Sequence, residues 1–323
     1  MKMNWQVVAL SSAVLALSVP PGWAQEKQAY PVKNVTMVMQ SSPGSGGDLF
    51  LRGVSLHLSK YIDANFAVEN ITGGSGAKAM AFTAKAPADG GMLMGVSPTY
   101  INTSIISKPP VGFSDLQPVV RLFLDPVIVV VKGDSRFKTL ADVVAEAKTK
   151  PMGIKVAVGE PGGLEGQTMV ELMQKTGTKV AVISHDGGGD ALLSVLNGTA
   201  DLGIGEVAEL KGQLDSGELR PIATYSDERI NGYPDLPTAR EQGIDMVIRK
   251  FRGIIAQKDI SPEAVKALEA AVPKLLEDKE FKAWYQQGSL IPAFQPREEF
   301  TKFINDFAAA QKDYFIANKV ITQ

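Results

Sequence analysis

One arrangement recurs along this chain and limits what it can fold into: an apolar strand, a glycine-rich turn, and the start of a helix. Its first copy runs through Val35–Met39, then Ser41-Ser42-Pro43-Gly44-Ser45-Gly46-Gly47-Asp48, then Leu49, Val54, Leu56, Leu58 and Tyr61 near helical spacing. Such a turn removes side chains and leaves main-chain N–H groups exposed. The first N–H groups of a helix have no internal partner, and the helix dipole adds partial positive charge there. The turn is therefore a seat for an anion. We read that anion as the carboxylate of a small organic acid.

Further copies follow. Phe66–Glu69 ends in Asn70-Ile71-Thr72-Gly73-Gly74-Ser75-Gly76 ahead of a helix over 77–85, and Met92–Val96 ends at Ser97-Pro98-Thr99. In the second half, strands at Ile154–Val158, Val180–Ile183 and Asp201–Ile204 run into Gly159–Gly163, Ser184–Asp190 and Gly205-Glu206, and a helix follows each. Repeated strand–helix units give an α/β fold with mostly parallel sheets flanked by helices. Ligands on such sheets bind beyond the carboxyl ends of the strands, where these turns lie. The β-branched run Val127–Val131 reads as a buried central strand. Asp125-Pro126 before it is a crossover point, and the extended stretch Val247–Ala256 is a return crossing. Two lobes are predicted: residues 25–125 with 248–323, and residues 126–247. Ser261-Pro262-Glu263 opens a helix to about Leu276, with serine as cap and proline in the first turn, and a final amphipathic helix covers Arg297–Asn318.

Length and charge narrow the partners. The 323 residues are enough for two domains, and a formal net charge of −2 argues against nucleic acid or a strongly anionic membrane. The chain has no cysteine, which removes disulfides and thiol catalysis. Its two histidines, His57 and His185, leave a histidine-based zinc site dependent on carboxylates. No metal or cofactor is expected. Residues 1–24 have the form of a secretory signal peptide: Lys2, an apolar run from Trp5 to Val19, and small residues up to a cut after Ala24. That run is shorter than the ~20 residues of a membrane span, so export by cleavage to the periplasm is expected.

Candidate ligand contacts follow from the turns. In the first loop they are Pro43, Gly44, Ser45, Gly46, Gly47 and Asp48, with Asp48 as cap or brace. Ser97, Thr99 and Tyr100 offer hydroxyls after the third strand. Gly162, Gly163 and Gln167, then His185, Gly187, Gly188 and Asp190, form the second lobe's half. Glu165 is placed at the rim, because it repels a carboxylate. Arg252 either grips a carboxylate bidentately or forms an interlobe ion pair. His57, inside the first helix, is a surface or packing residue. Gly74-Ser75-Gly76-Ala77-Lys78-Ala79 fits a dinucleotide fingerprint, but the preceding strand is short and the chain is exported, so that reading is set aside.

The ordered set of short motifs resembles the extracytoplasmic solute-binding proteins of tripartite tricarboxylate transporters, also called the Bug family. The resemblance spans residues 30 to 320. It rests on Pro43–Asp48, on Glu69-Asn70-Ile71-Thr72-Gly73-Gly74-Ser75-Gly76, on Ala86-Pro87-Ala88-Asp89-Gly90 and on Tyr233-Pro234-Asp235-Leu236-Pro237-Thr238. Gly187–Leu192 and Phe251-Arg252-Gly253 are similar to segments of the tricarboxylate branch. Two positions depart from the family pattern: His185-Asp186-Gly187 replaces a Tyr-Lys-Gly-like turn, and Phe251 replaces tryptophan.

The resemblance implies a type II periplasmic-binding-protein-like clamp of two lobes. A small carboxylate, such as citrate, another di- or tricarboxylate or an aromatic acid, is held between them largely by backbone N–H groups and waters. It implies a monomer that docks on a membrane permease, with no catalytic residue. Two rival readings are an exported α/β hydrolase and a ligand-sensing subunit of a signalling system. The hydrolase needs a Ser-His-Asp set built on His57 or His185, and no Gly-x-Ser-x-Gly elbow precedes a helix.

Overall fold

The computed structural model describes residues 27–159, 163–185 and 188–322. The expected signal peptide, Gly162 and Gly187 lie outside the described residues. The first sheet contains β1 (Asn34–Met39), β2 (Asn65–Asn70), β3 (Met92–Val96), β4 (Leu116–Leu124), β10 (Phe251–Gln257) and β11 (Ile291–Gln295). The second contains β5 (Val127–Lys132), β6 (Lys155–Val158), β7 (Ala181–Ser184), β8 (Leu202–Glu206) and β9 (Leu219–Thr224). Helices α1 (Gly46–Leu58), α2 (Ala77–Ala84), α3 (Thr99–Ser107), α8 (Pro262–Glu277), α9 (Lys279–Gln287) and α10 (Arg297–Ala317) belong to the first lobe. Helices α4 (Leu140–Thr149), α5 (Leu164–Thr176), α6 (Gly188–Leu196) and α7 (Val207–Ser216) belong to the second.

The first sheet has the order β11-β4-β10-β3-β1-β2, and the second β7-β6-β8-β5-β9. Both are mixed rather than mostly parallel. β1 is parallel to β2 and β3, and β6 to β7 and β8, as the strand–helix units require. β10 runs antiparallel to β3 and β4, and β5 antiparallel to β8 and β9. β10 and β5 run against their neighbours because the chain enters each sheet there from the other lobe; β11 is also antiparallel to β4. The sequence reading missed β4, β11, α3 and α9.

The alternation of side chains across each strand builds a core on both faces of each sheet. Along β5, Val127, Val129 and Val131 enter one cluster with Leu140 and Met169, while Ile128 and Val130 enter another with Val195 and Val207. Along β10, Ile254 and Ala256 pack with Phe50 and Leu268, while Phe251 and Ile255 pack with Tyr100 and Phe300. The chain leaves the first sheet at Asp125-Pro126 and returns just before Phe251. The two crossings lie side by side, since the Asp125 N–H donates to the Lys250 carbonyl at 2.8 Å.

Candidate ligand-binding site

Between the two sheets lies a cavity of about 360 Å³, lined by residues that follow β1, β3, β6 and β8 and by the return crossing at Lys250 and Arg252. The first wall is the loop before α1. Ser45 caps this helix in extended geometry, and its Oγ accepts from the Asp48 N–H at 3.3 Å. The Ser45 N–H donates to the Ser42 carbonyl at 3.2 Å, and the Gly44 N–H to Asp48 Oδ2 at 2.9 Å. The N–H groups of Gly46 and Gly47 are left: no described residue accepts from either. Both glycines line the cavity. Their lack of a side chain is required. A Cβ on Gly46 would overlap Glu206 Oε2, and one on Gly47 would overlap the Met39 methyl and stand 3.0 Å from Ser41 Oγ.

Asp48 lies beneath this loop rather than in the cavity. Its carboxylate accepts from Gly44, from Arg52 Nε at 2.9 and 3.0 Å, and from Asn70 Nδ2 at 2.8 Å. Asn70 also donates to the Ser41 carbonyl at 2.8 Å, so the same set fixes both ends of the loop. Burial opposes ionisation of Asp48, but Arg52, the Gly44 N–H and Asn70 outweigh it and hold the carboxyl below its usual range.

The opposite wall is acidic. Gly188, Gly189 and Asp190 at the start of α6, Glu206 just before α7, Glu209 one turn on, and Glu165 on α5 all line the cavity. Lys250 donates to Glu165 Oε1 at 2.8 Å and also to Glu206. Arg252 reaches Asp125 at 2.6 Å and Glu206 Oε2 at 3.4 Å. Burial works against the charges of Glu206 and Lys250. For Glu206, Lys250 and Arg252 outweigh it and lower the carboxyl; for Lys250, Glu165 and Glu206 outweigh it and raise the ammonium. Glu209 forms no ion pair among the described residues: burial, then the negative charge of Glu206, outweighs the pull of Lys250 and pushes it up to about 8.

The structure brings Pro43, Gly44, Ser45, Gly46, Gly47, Ser97, Thr99, Gly188, Asp190 and Arg252 to the cavity and leaves others away from it. Tyr100 is 1% exposed and packs in the core between β10 and α10, so it presents no hydroxyl to a ligand. Gln167 ties the lobes together, accepting from Asn102 at 3.1 Å and donating to Gln311 at 2.7 Å. Gly163 is the cap of α5 and is not among the lining residues. His185 is likewise off the lining, and its Nε2 has no partner among the described residues. His57 donates through Nδ1 to the Gly53 carbonyl and packs on Phe281. Arg252, 2% exposed, is the interlobe ion pair of the two roles weighed for it. Glu165, placed at the rim from sequence, is paired with Lys250.

Sequence reasoning missed Gln40, Glu206, Glu209 and Lys250. Glu206 was detectable, since it ends β8 at the same place in the strand–turn–helix unit as the other loops. Glu209 follows it at i+3, on the same helical face. Lys250 had no local signal, as its partners lie 85 and 44 residues away in sequence.

Two α/β lobes joined by paired crossings, with a cavity between their strand ends, define a two-lobed binding protein of the periplasmic type. A model described as "Tripartite tricarboxylate transporter family receptor" matches residues 50–319, and the chain belongs to this family. BugT of Bordetella pertussis is 24% identical over 283 residues, covering 86% of both chains. A Rhodopseudomonas palustris protein solved with adipate superposes with a TM-score of 0.84 at 21% identity, covering 90% of this chain and 98% of its own. MatC from the same organism, solved with bound malate, gives 0.77 at 21% identity, covering 88% and 99%.

Proposed function

We propose that this chain is a periplasmic receptor that captures a small carboxylate between lobe 1 (residues 25–125 with 248–323) and lobe 2 (residues 126–247). It then presents the loaded clamp to a membrane permease of the tripartite type. It carries out no bond chemistry. Residues 1–24 serve as a cleaved export signal, and the mature receptor acts as a monomer.

One observation carries the reading: two unclaimed N–H groups, Gly46 and Gly47, at the head of a 13-residue helix and on the wall of an interlobe cavity. A carboxylate accepts from both without displacing any hydrogen bond of the loop. Ser42, Pro43, Ser97 and Thr99 surround it from lobe 1, and Gly188 and Asp190 close over it from lobe 2. The family description and the adipate and malate held by two structural neighbours support a small organic acid. Waters in the cavity complete its hydrogen bonds. Closure follows from contacts the ligand makes with lobe 2 only in the shut state.

A thermal-shift panel of citrate, malate, adipate, nicotinate and phthalate on the mature chain, followed by calorimetric titration, tests this. A carboxylate should raise the melting temperature, and Gly46→Val should remove that response while the circular dichroism spectrum is kept. A flat panel, or unchanged affinity in Gly46→Val, counts against the reading. The double change His57→Ala, His185→Ala should leave binding intact, which a histidine-dependent hydrolase would not predict.

A further inference from the structure

The second glycine turn, Gly73–Gly76, does not line the cavity, but it fixes a side chain that does. Gly76 has a φ of +96° and stands against Gln40, the residue after β1. A Cβ on Gly76 would lie 2.6 Å from Gln40 Oε1 and 2.9 Å from its Cδ, so the bare turn makes room for this carboxamide. Gln40 is 3% exposed and lines the cavity. Its Oε1, the atom nearest Gly76, is sealed off without a partner among the described residues. Its Nε2 also donates to no described residue, yet it is not sealed, and its open side is the cavity. β3 lies beside β1 and parallel to it, with Met39 opposite Gly95, so Ser97 and Thr99 emerge next to Gln40. Both are buried and line the same cavity, and their hydroxyls likewise have no partner among the described residues without being sealed. Three buried polar side chains thus face one space with bonds still to make.

A buried polar group without a partner costs stability, and a bound molecule that supplies the missing atoms removes that cost. The donors here are uncharged. The cavity's cations, Lys250 and Arg252, are both engaged, with Glu165, Glu206 and Asp125. A second anionic group on the ligand would enter without a counter-ion, whereas an uncharged oxygen needs hydrogen-bond partners alone. A hydroxyl suits the set, because Gln40 Nε2 donates to it and the oxygen of Ser97 or Thr99 accepts its proton. We propose that Gln40 is a ligand-contacting, specificity-determining residue: with Ser97 and Thr99 it reads a hydroxyl on an acid whose carboxylate sits on the Gly46 and Gly47 amides. Gly76 is its positioning residue. The proposal rests on the carboxylate reading of the cleft given above and adds the chemistry of a second ligand group.

The test is calorimetric titration of the mature protein at pH 7 with butanoate and hexanoate, with their 2-hydroxy, 3-hydroxy and terminal hydroxy derivatives, and with succinate and adipate. At least one hydroxy acid should bind about tenfold or more tighter than its parent acid. Gln40→Met and Gln40→Leu, apolar replacements of similar size, should lower that ratio about tenfold while the circular dichroism spectrum is kept. A ratio unchanged in the folded variants overturns the role of Gln40. Hydroxy acids that bind no tighter than their parents overturn the hydroxyl subsite and leave the carboxylate receptor standing. A diacid tighter than every hydroxy acid of its length overturns the uncharged second group. No heat from any probe overturns the carboxylate seat and the subsite together.

Discussion

Gly46 lies directly against Glu206 of the other lobe, and Gly46→Ala isolates the energetics of closure. The residue is the first of α1 and does not have a positive φ, so alanine fits its backbone without strain. In isolation the change favours the helix by up to about 1 kcal/mol. The obstacle lies across the cleft. The new Cβ would overlap Glu206 Oε2, with Glu206 Cδ at 3.4 Å and Arg252 Nη2 at 3.0 Å. Glu206 has little freedom to yield, because it is buried between Lys250 and Arg252. Forcing a methyl into a packed contact costs about 1–3 kcal/mol. That cost falls on the shut form alone, so it appears in binding as about a 5- to 140-fold rise in Kd. Calorimetry with the tightest binder among citrate, malate, adipate, nicotinate and phthalate measures it. Small-angle scattering should show the variant more extended with ligand present. Gly212→Ala, on α7 with nothing within 4 Å of the added carbon, is the matched control and should leave Kd unchanged. If Gly46→Ala binds as the parent does and compacts equally on ligand addition, the claim that this glycine permits closure is refuted.

Arg252→Ala leaves Asp125 without its cation in a buried site and should cost about 3–5 kcal/mol of stability, read as a lowered denaturation midpoint in urea; an unchanged midpoint would mean water replaces the guanidinium freely. The raised carboxyl of Glu209 holds its proton in the folded chain at pH values where the unfolded chain has lost it. Its contribution is therefore complete below the ordinary glutamate range and disappears as pH rises toward about 8. Glu209→Gln should accordingly raise the melting temperature at pH 8.5 and leave it unchanged at pH 4, and equal shifts at both values would contradict that assignment. Tyr100→Phe removes a buried hydroxyl without a partner among the described residues, so it should keep ligand affinity and hold or slightly raise stability; a loss of affinity would return Tyr100 to the site.

What sequence could supply depended on how local each feature is. The first glycine loop was legible because strand, glycines and cap are contiguous: Val35–Met39, Gly44–Gly47 and Ser45 mark β1, the turn and the start of α1. The lobe crossings were legible too, since Asp125-Pro126 and the extended run before Phe251 interrupt the strand–helix rhythm. β4 and β11 were not. Leu116–Leu124 carries Pro118 and Arg121, and β11 is a short edge strand whose first two residues are exposed, so neither shows the apolar alternation of a half-buried strand.

The charge of the cavity is the feature least available to a linear reading, and the reason is geometric. Arg252 meets Asp125 across 127 positions and Glu206 across 46, and Lys250 joins Glu165 to Glu206 through a crossing that exists only once both sheets have formed. Read singly, Arg252 is a free guanidinium suited to a carboxylate and Glu165 a rim residue. Placed together, both are engaged, Arg252 with Asp125 and Glu206 and Glu165 with Lys250, so neither is free to meet a ligand. A glycine loop of this kind is suited to an anion, because backbone amides carry the same dipole whatever the sequence. On the proposed reading, the choice among anions falls to side chains around the cavity, most of which become neighbours of this loop only on folding.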